Sequence, residues 1–152
     1  MRLKVKRLHP AAQMPRYATT GSACFDLHAL VRDDPSDYTL PIEVSQSKAA
    51  TIRTGLAMEI PQGYCLLIFS RSGHGFKHGV RLANCVGVID SDYRGEILIR
   101  LVCDPHGKRI DIRHGERIAQ CMLVRAPWFA IDEVDELSGT ERGDGGFGST
   151  GV

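Results

Sequence analysis

The residues best suited to chemistry lie in one short segment of the chain. Asn84 interrupts the apolar run Val80–Asp90, and Asp90 ends it. An amide offers both a donor and an acceptor, so Asn84 either caps a turn or reads the edge of a ligand. A carboxylate at a strand end either begins an ordinary turn or holds a water molecule and takes its proton. Tyr93 follows Asp90 by three residues, so one hairpin could address a base, an attacking water and a sugar.

Two other segments have the composition of anion-binding loops. Arg71-Ser72-Gly73 follows the apolar run Cys65–Phe69, and a guanidinium, a hydroxyl and a glycine backbone together suit phosphate. An ordinary Ser-Gly turn beside a surface arginine is the alternative. The glycine-rich stretch Arg142–Gly151 contains G-x-G-x-x-G, but too little chain follows for a dinucleotide-binding unit. We expect a flap in which Arg142 binds phosphate and Phe147 stacks on a base, with an idle tail as the alternative.

Three further polar residues have plainer interpretations. His74 and His78 are four residues apart, but the glycines around them argue against the helix that would align them on a metal. We therefore expect a solvated loop there. Gln120 interrupts an apolar strand, and by itself it indicates only a side chain that faces outward.

The elements that must position these residues are strands. Short or alternating apolar runs are separated by Gly, Pro, Asp and Ser, and no helical periodicity persists for about three turns. An all-β sandwich, barrel or jelly roll fits best, as a single domain over residues 1–152. The runs are Leu3–Leu8, Cys24–Ala29, Thr51–Ile60, Tyr64–Phe69, Val80–Asp90, Glu96–Val102, Arg109–Ile112 and Arg117–Val124, and Arg32–Asp37 is expected to be a polar loop.

Composition excludes several classes of protein. The 19 basic and 18 acidic residues give a net charge of +1, which argues against a nucleic-acid polymer or an anionic membrane as the main partner. Five separate cysteines without C-x-x-C spacing favour neither a disulfide framework nor a zinc ribbon, and they indicate a reducing cytoplasm. The N-terminal residues lack the apolar core of a signal peptide, and no apolar run reaches about 18 residues. We expect a cytoplasmic protein that binds a small anion.

Five segments, in order, resemble the motifs of the trimeric dUTPase family, bacterial type. They span nearly the whole chain, and their spacing is similar to that of small bacterial members. The segments are Gly21–Ala29, Arg71–Gly73, Asn84–Gly95, Gly115–Gln120 and Arg142–Gly151.

The resemblance implies a distorted jelly-roll β-barrel that assembles as a homotrimer with shared active sites. The glycine-rich residues 141–152 would form a flexible lid over a neighbour's site. The implied reaction is hydrolysis of dUTP to dUMP and pyrophosphate, with Mg²⁺ carried by the triphosphate. Such a reaction keeps uracil out of DNA and supplies dUMP for dTMP synthesis.

The resemblance also implies a role for individual residues. Asp90 would activate the attacking water, Asn84 and the main chain of Val88 and Ile89 would read uracil, and Tyr93 would exclude a 2′-hydroxyl. Leu98 would line the pocket, and Asp26 would orient a water on the metal. The phosphates would be bound by Arg71, Ser72, Gly73 and Gln120, and the lid would be formed by Arg142, Phe147, Gly148 and Ser149.

The chain departs from the family pattern at two places. Ser70 stands where the family usually has Pro, which predicts a less rigid phosphate loop, and Cys24-Phe25 replaces Gly and a smaller aliphatic residue. Two other functions remain open. A dCTP deaminase shares the fold but would want a glutamate as proton shuttle and has no need of the segment from Asp90 to Tyr93. A nucleotide-binding regulator would use the same pocket without turnover.

Overall fold

Twelve strands and one short helix form in the part of the chain that the computed structural model describes, residues 2–31, 40–146 and 149. The strands are β1 (Lys4–Arg7), β2 (Arg16–Tyr17), β3 (Phe25–His28), β4 (Ile42–Val44), β5 (Ala50–Arg53), β6 (Leu56–Glu59), β7 (Tyr64–Phe69), β8 (Val80–Leu82), β9 (Val86–Ile89), β10 (Leu98–Cys103), β11 (Ile110–Ile112) and β12 (Arg117–Arg125). The helix, α1, spans Ser72–His78. The predicted polar loop Arg32–Asp37 lies outside the described residues.

The strands pair antiparallel in four sheets. The largest sheet has the order β2-β3-β12-β7-β9, and a second has the order β5-β10-β8. Two hairpin-sized sheets pair β1 with β6 and β4 with β11. The all-β jelly-roll prediction is confirmed, although the described strands form separate sheets and no continuous closed barrel. Neighbours in a sheet are mostly distant in sequence, as in a Greek-key connection.

Alternation along the strands explains the core. In β5, Ala50 and Ile52 are buried whereas Thr51 and Arg53 are exposed, because successive side chains point to opposite faces. Each fully buried aliphatic side chain contributes about 1.5–3 kcal/mol relative to exposure. The largest fully buried side chains come from all four sheets and from residues beside their strands: Leu27, Val44, Ile52, Leu56, Ile60, Leu66, Leu82, Ile97, Ile99, Leu101, Ile112 and Ile118.

Two long apolar runs are each divided into two strands. The run Thr51–Ile60 breaks at Gly55, whose φ of 67° favours glycine. The run Val80–Asp90 breaks between β8 and β9, where Cys85 takes a φ of 60° and its N–H bonds to the carbonyl of Leu82 at 3.4 Å. This run therefore forms two strands and not one, because β8 and β9 belong to different sheets and the chain must turn between them.

The expectation of a solvated loop around His74 and His78 is also wrong. Residues Ser72–His78 form α1, which ends at Gly79 in the left-handed conformation with a φ of 63°. The N–H of Gly79 caps the carbonyl of Gly75, and basic side chains in the last turn favour the helix C-terminus. The C-terminal cap and the contact with β8 outweigh the low helix propensity of the glycines.

After β12 the chain leaves the sheets. Residues 126–146, called the arm from here on, contain neither helix nor strand. The large apolar side chains of the arm are exposed, namely Trp128, Phe129, Ile131, Val134 and Leu137. An apolar surface of this extent usually marks an interaction site. Across the described part of the chain, no helix is both long and apolar enough to cross a membrane.

Candidate active site

A cavity of about 280 Å³ opens between β9 and the three-stranded sheet. It brings together four of the predicted ligand-binding residues, Asn84, Val88, Ile89 and Leu98. Its deeper wall is apolar and includes Ile68, Leu82 and Ile99. A larger apolar cavity of about 440 Å³ beside β1 and β2 contains none of the predicted site residues, so size alone does not identify the site.

The polar groups of this cavity come from a turn and from a strand edge. Asn84 lies in the exposed turn between β8 and β9. β9 is the last strand of its sheet, so among the described residues one side of its backbone faces no neighbouring strand. The amide of Asn84 and the edge backbone of β9 can therefore both hydrogen-bond a planar ring.

Asp90 is the first residue after β9, at the end of the cavity wall. It is exposed, and no described side chain pairs with it. The N–H of Tyr93 bonds to the carbonyl of Asp90 at 3.3 Å, which closes a tight turn. The Tyr93 hydroxyl donates to the carbonyl of Glu96 at 3.1 Å, and the ring lies directly against Gly95. Asp90 is thus free to meet a ligand, whereas the Tyr93 ring is held in place.

A second group of predicted residues lies on the outer face of β3 and β12. Gln120 in β12 is in register with Asp26 in β3, and Asp26 is also in register with Arg16. The Asp26 carboxylate lies 3.6 Å from Nε of Arg71 and 3.2 Å from Nη1 of Arg117. A single half-buried carboxylate therefore faces several guanidinium groups, and the net positive charge suits an anion. We call this group the phosphate face.

The ionisation of the phosphate face follows from burial and charge. Partial burial lowers the pKa of Arg71, the neighbouring Arg117 lowers it further, and Asp26 opposes both effects. A guanidinium nevertheless stays protonated in proteins. Burial likewise lowers the pKa of His28, whose Nδ1 is buried without a hydrogen-bond partner. His28 therefore adds little positive charge at neutral pH, so the arginines supply it.

Hydrogen bonds connect the phosphate face to the start of α1. Nη1 of Arg71 donates to the carbonyl of Arg117 at 2.9 Å, and Nε2 of Gln120 donates to the carbonyl of Ser70 at 3.0 Å. Arg71 is the N-cap of α1, so Ser72 and Gly73 occupy its first turn. The first N–H groups of a helix have no intrahelical acceptor, which leaves those of Ser72 and Gly73 available to a ligand.

Sequence reasoning gave no role to Arg117. Its guanidinium reaches Asp26 because a bulge between Arg117 and Ala119 shifts the register of β12 against β3. Such a bulge changes the face on which a side chain lies. A basic residue three positions before Gln120 is a weak signal by itself, since strand alternation without the bulge puts it on the opposite face.

The residues predicted to form a lid are not brought to the cavity or to the phosphate face. Nε of Arg142 donates to the carbonyl of Gly145 at 2.8 Å, and the N–H of Ser149 bonds to the carbonyl of Gly146 at 3.0 Å. These bonds stay within the glycine-rich segment itself. Phe147 and Gly148 lie outside the described residues.

Comparison with known proteins gives one consistent answer. The family described as dUTPase matches residues 11–151. A deoxyuridine 5'-triphosphate nucleotidohydrolase of Nautilia profundicola is 44% identical over 151 residues, which cover 99% of each chain. One from Caulobacter vibrioides is 43% identical and covers 91% of this chain and 86% of its own. Among solved structures, the Staphylococcus bacteriophage 80alpha dUTPase with dUPNHPP has a TM-score of 0.82 and 28% identity, with 99% of both chains covered. A mutant dUTPase from phage phi11 of S. aureus, whose structure shows the coordination of a structural Mg(II) ion, has a TM-score of 0.74 and 21% identity. The match covers 91% of this chain and 100% of that one. At this identity the likeness shows the fold alone.

Proposed function

The chain belongs to the dUTPase family, whose reaction is the hydrolysis of dUTP, and we propose how its own residues carry out that reaction. Water attacks the α-phosphorus, the bond from that phosphorus to the bridging oxygen breaks, and dUMP and pyrophosphate leave. The observation that carries the proposal is the cavity beside the edge strand β9. The Asn84 amide lines this cavity ahead of the strand, and the free carboxylate of Asp90 follows directly after the strand.

Asn84 and the backbone of β9 read the uracil ring. The Asn84 amide supplies a donor and an acceptor, which match the O4 and N3–H edge of uracil. The main chain near Val88 and Ile89 adds the hydrogen bonds of an unpaired strand edge, and Leu98 forms an apolar wall. Cytosine presents the opposite donor and acceptor pattern at this edge. The Asn84 amide can rotate to match either base, so rejection of cytosine falls to the fixed backbone groups of β9.

Asp90 is the general base. Its exposed carboxylate accepts a proton from the water that attacks phosphorus, so the nucleophile gains hydroxide character as the new P–O bond forms. The bridging oxygen keeps the electron pair of the broken bond and departs as pyrophosphate. The Tyr93 ring, fixed by Glu96 and Gly95, packs under the deoxyribose and leaves no room for a 2′-hydroxyl.

The phosphate face binds the triphosphate. The Arg71 guanidinium and the first-turn N–H groups of Ser72 and Gly73 donate to phosphate oxygens, and Gln120 contributes its amide. We add Arg117 to this set, because its guanidinium shares the Asp26 carboxylate with Arg71. These groups stabilise negative charge on the departing pyrophosphate.

The donor set of the phosphate face fits Mg²⁺ carried by the substrate. Within the described ranges, no group of three or more His, Cys, Asp and Glu side chains is gathered around a metal position, and Asp26 is the carboxylate available at this face. Mg²⁺ usually keeps several waters and binds substrate phosphates with one or two carboxylates. When bound, it would neutralise phosphate charge. Asp26 would hold one of the water molecules bound to Mg²⁺. The Asp26 oxygen that does so also accepts a hydrogen bond from an arginine.

A homotrimer with shared sites explains two features of the single chain. The β7 and β9 register pairs Phe69 with Val86 and Leu66 with Ile89, so Arg71 and Asp90 lie beyond opposite ends of the ladder. A second chain would bring a phosphate face to the end of the ladder at which Asp90 lies. The exposed apolar side chains of the arm are suited to packing on that second chain.

The lid completes the assembly. Residues 141–152 would close over a neighbour's site, with Arg142 and Ser149 on the phosphates and Phe147 and Gly148 against the base. We treat residues 1–152 as one domain that includes this lid. Its five free cysteines support a reducing compartment such as the cytoplasm, where dUTP removal keeps uracil out of DNA and dUMP feeds dTMP synthesis.

A product assay tests the proposal directly. The protein is incubated with dUTP, dCTP, dTTP and UTP in Mg²⁺, and pyrophosphate, nucleoside monophosphate and ammonia are measured separately. We expect pyrophosphate and dUMP from dUTP and little product from the others. Ammonia from dCTP would identify a deaminase instead, and binding of dUTP without product would identify a regulator.

A further inference from the structure

Ser70 lies between the two parts of the candidate site and bonds to both. Its hydroxyl oxygen accepts the backbone N–H of Leu82 at 2.9 Å. Its carbonyl accepts Nε2 of Gln120 at 3.0 Å. It is also the residue immediately before Arg71, at the exit from β7. Ser70 thus connects the phosphate face to β8 through its side chain.

The Leu82 end of this bond controls the turn that presents Asn84. Leu82 is the last residue of β8, and its carbonyl accepts the N–H of Cys85 at 3.4 Å across the turn. The next residue, Ala83, donates to the carbonyl of Arg100 in β10 at 2.9 Å. Because consecutive N–H groups of a strand point to opposite sides, the Leu82 N–H points away from β10 and toward Ser70. The Ser70 hydroxyl therefore holds the start of the base-reading turn.

The hydroxyl is needed because the Leu82 N–H has no alternative partner in its sheet. Leu82 is 2% exposed, so water cannot easily replace a lost acceptor. Without an acceptor, β8 must shift or the turn must relax. Either movement displaces Asn84 on one side and the backbone that precedes Arg71 on the other.

We propose that Ser70 is a positioning residue that couples the base-reading turn at Asn84 to the phosphate-binding loop at Arg71. The inference rests on the proposed function of those two segments. Ser70 takes no part in proton transfer and touches no reacting atom. Its hydrogen bond to Leu82 keeps both segments in the arrangement that binds nucleotide.

The test compares two ligand fragments that each report one segment. The inhibition constants of dUMP, which reports mainly the base pocket, and of pyrophosphate, which reports the phosphate face, are measured against dUTP hydrolysis. In Ser70→Ala we expect both inhibition constants to rise about five- to tenfold and kcat/KM to fall at least tenfold. The reason is that misplacing a binding group by about 1 Å can lower the reaction rate on the order of 100-fold. Ser70→Thr keeps the hydroxyl and should restore both constants to within about twofold of wild type.

Thr54→Ala is the matched control. The buried Thr54 hydroxyl accepts the N–H of Leu56 at 3.3 Å and donates to the carbonyl of Ile97 at 2.7 Å, so its removal costs two buried hydrogen bonds. Thr54→Ala should lower the unfolding midpoint at least as much as Ser70→Ala and leave both inhibition constants unchanged. If Ser70→Ala does not fold, Ser70→Cys carries the same comparison, since its thiol is a weaker acceptor.

Three results would overturn the coupling. One is a rise in only one of the two constants, another is a failure of Ser70→Thr to restore both, and the third is an equal rise in Thr54→Ala. Failure of the proposed function looks different, because the wild-type protein would then not hydrolyse dUTP at all. A positive result assigns the link between base and phosphate recognition to one hydroxyl.

Discussion

Asp90 and Arg71 lie beyond opposite ends of the ladder between β7 and β9. The paired residues run from Leu66 opposite Ile89 to Phe69 opposite Val86, a length of about 10 Å. Asp90 continues one residue past the first end, and Arg71 follows two residues after the other. Arg71 and Asp90 of one chain are therefore poorly placed to act on the same α-phosphorus. This separation supports the proposed site built from more than one copy.

Mixed assemblies should restore activity that each variant lacks alone. Asp90→Asn and Arg71→Ala are expected to be inactive separately. When the two chains are co-expressed, about a quarter of shared sites in a random mixture receive an intact Asp90 from one copy and an intact Arg71 from another. The rate of dUTP hydrolysis by the purified mixture is the measurement. A mixture no more active than its components would show that each site is built within one chain.

Asp90→Asn should separate binding from turnover. An amide is similar in size but cannot take the proton of the attacking water, so we expect kcat to fall about 100- to 10,000-fold. Calorimetry with a non-hydrolysable dUTP analogue should give a dissociation constant near that of wild type. Asp92→Asn, two residues along the same exposed turn, is the control and should keep normal turnover. A near-normal rate in Asp90→Asn would remove Asp90 from the mechanism.

Tyr93→Ala should relax sugar selection. The ring is held by the hydrogen bond to Glu96 and by contact with Gly95, so its loss opens space for a 2′-hydroxyl. We expect the ratio of kcat/KM for dUTP to that for UTP to fall about tenfold or more. Tyr93→Phe keeps the ring and loses only the hydroxyl, so it should stay close to wild type. Unchanged discrimination in Tyr93→Ala would place sugar selection elsewhere.

Truncation after Glu141 should remove activity and leave the fold intact. The described hydrogen bonds of Arg142 and Ser149 stay within their own segment, and no core side chain comes from its described residues. We expect an unchanged oligomer by sedimentation, a similar unfolding midpoint and a severely reduced kcat, because a lid excludes water and orders the phosphates. A truncated chain that no longer assembles would make the segment structural.

Asp26→Asn should raise the Mg²⁺ requirement. Chelation is expected to abolish dUTP hydrolysis in wild type, and added Mg²⁺ should restore it. The variant loses the negative charge that Arg71 and Arg117 share, so we expect several-fold more Mg²⁺ for half-maximal rate. Asp111→Asn also breaks an aspartate-arginine pair, at Arg109, and should leave that concentration unchanged. Equal Mg²⁺ curves for Asp26→Asn and wild type would exclude a role for Asp26 near the metal.

The strand pattern was largely readable from the sequence. Short apolar runs predicted Tyr64–Phe69, which is β7 to the residue, and Arg117–Val124, which is β12 short of one residue. The sequence missed the two-residue strand β2 and the three-residue strand β4, because segments that short carry too few side chains for a period. It also predicted a loop in place of α1, because glycines have a low helix propensity. Propensity takes no account of the cap at Gly79 or of the contact with β8.

By itself the sequence determined the family, the all-β class and the segments that hold the chemical groups, since residue type and local period are written along the chain. The tertiary structure decided which groups meet. Asp26 and Arg117 are 91 positions apart and pair only through a bulge in β12. Ser70 reaches Leu82 only because α1 carries the chain from β7 in one sheet to β8 in another. Such contacts depend on strand pairing between distant segments. Local sequence does not encode that pairing, because burial of the shared core fixes the register.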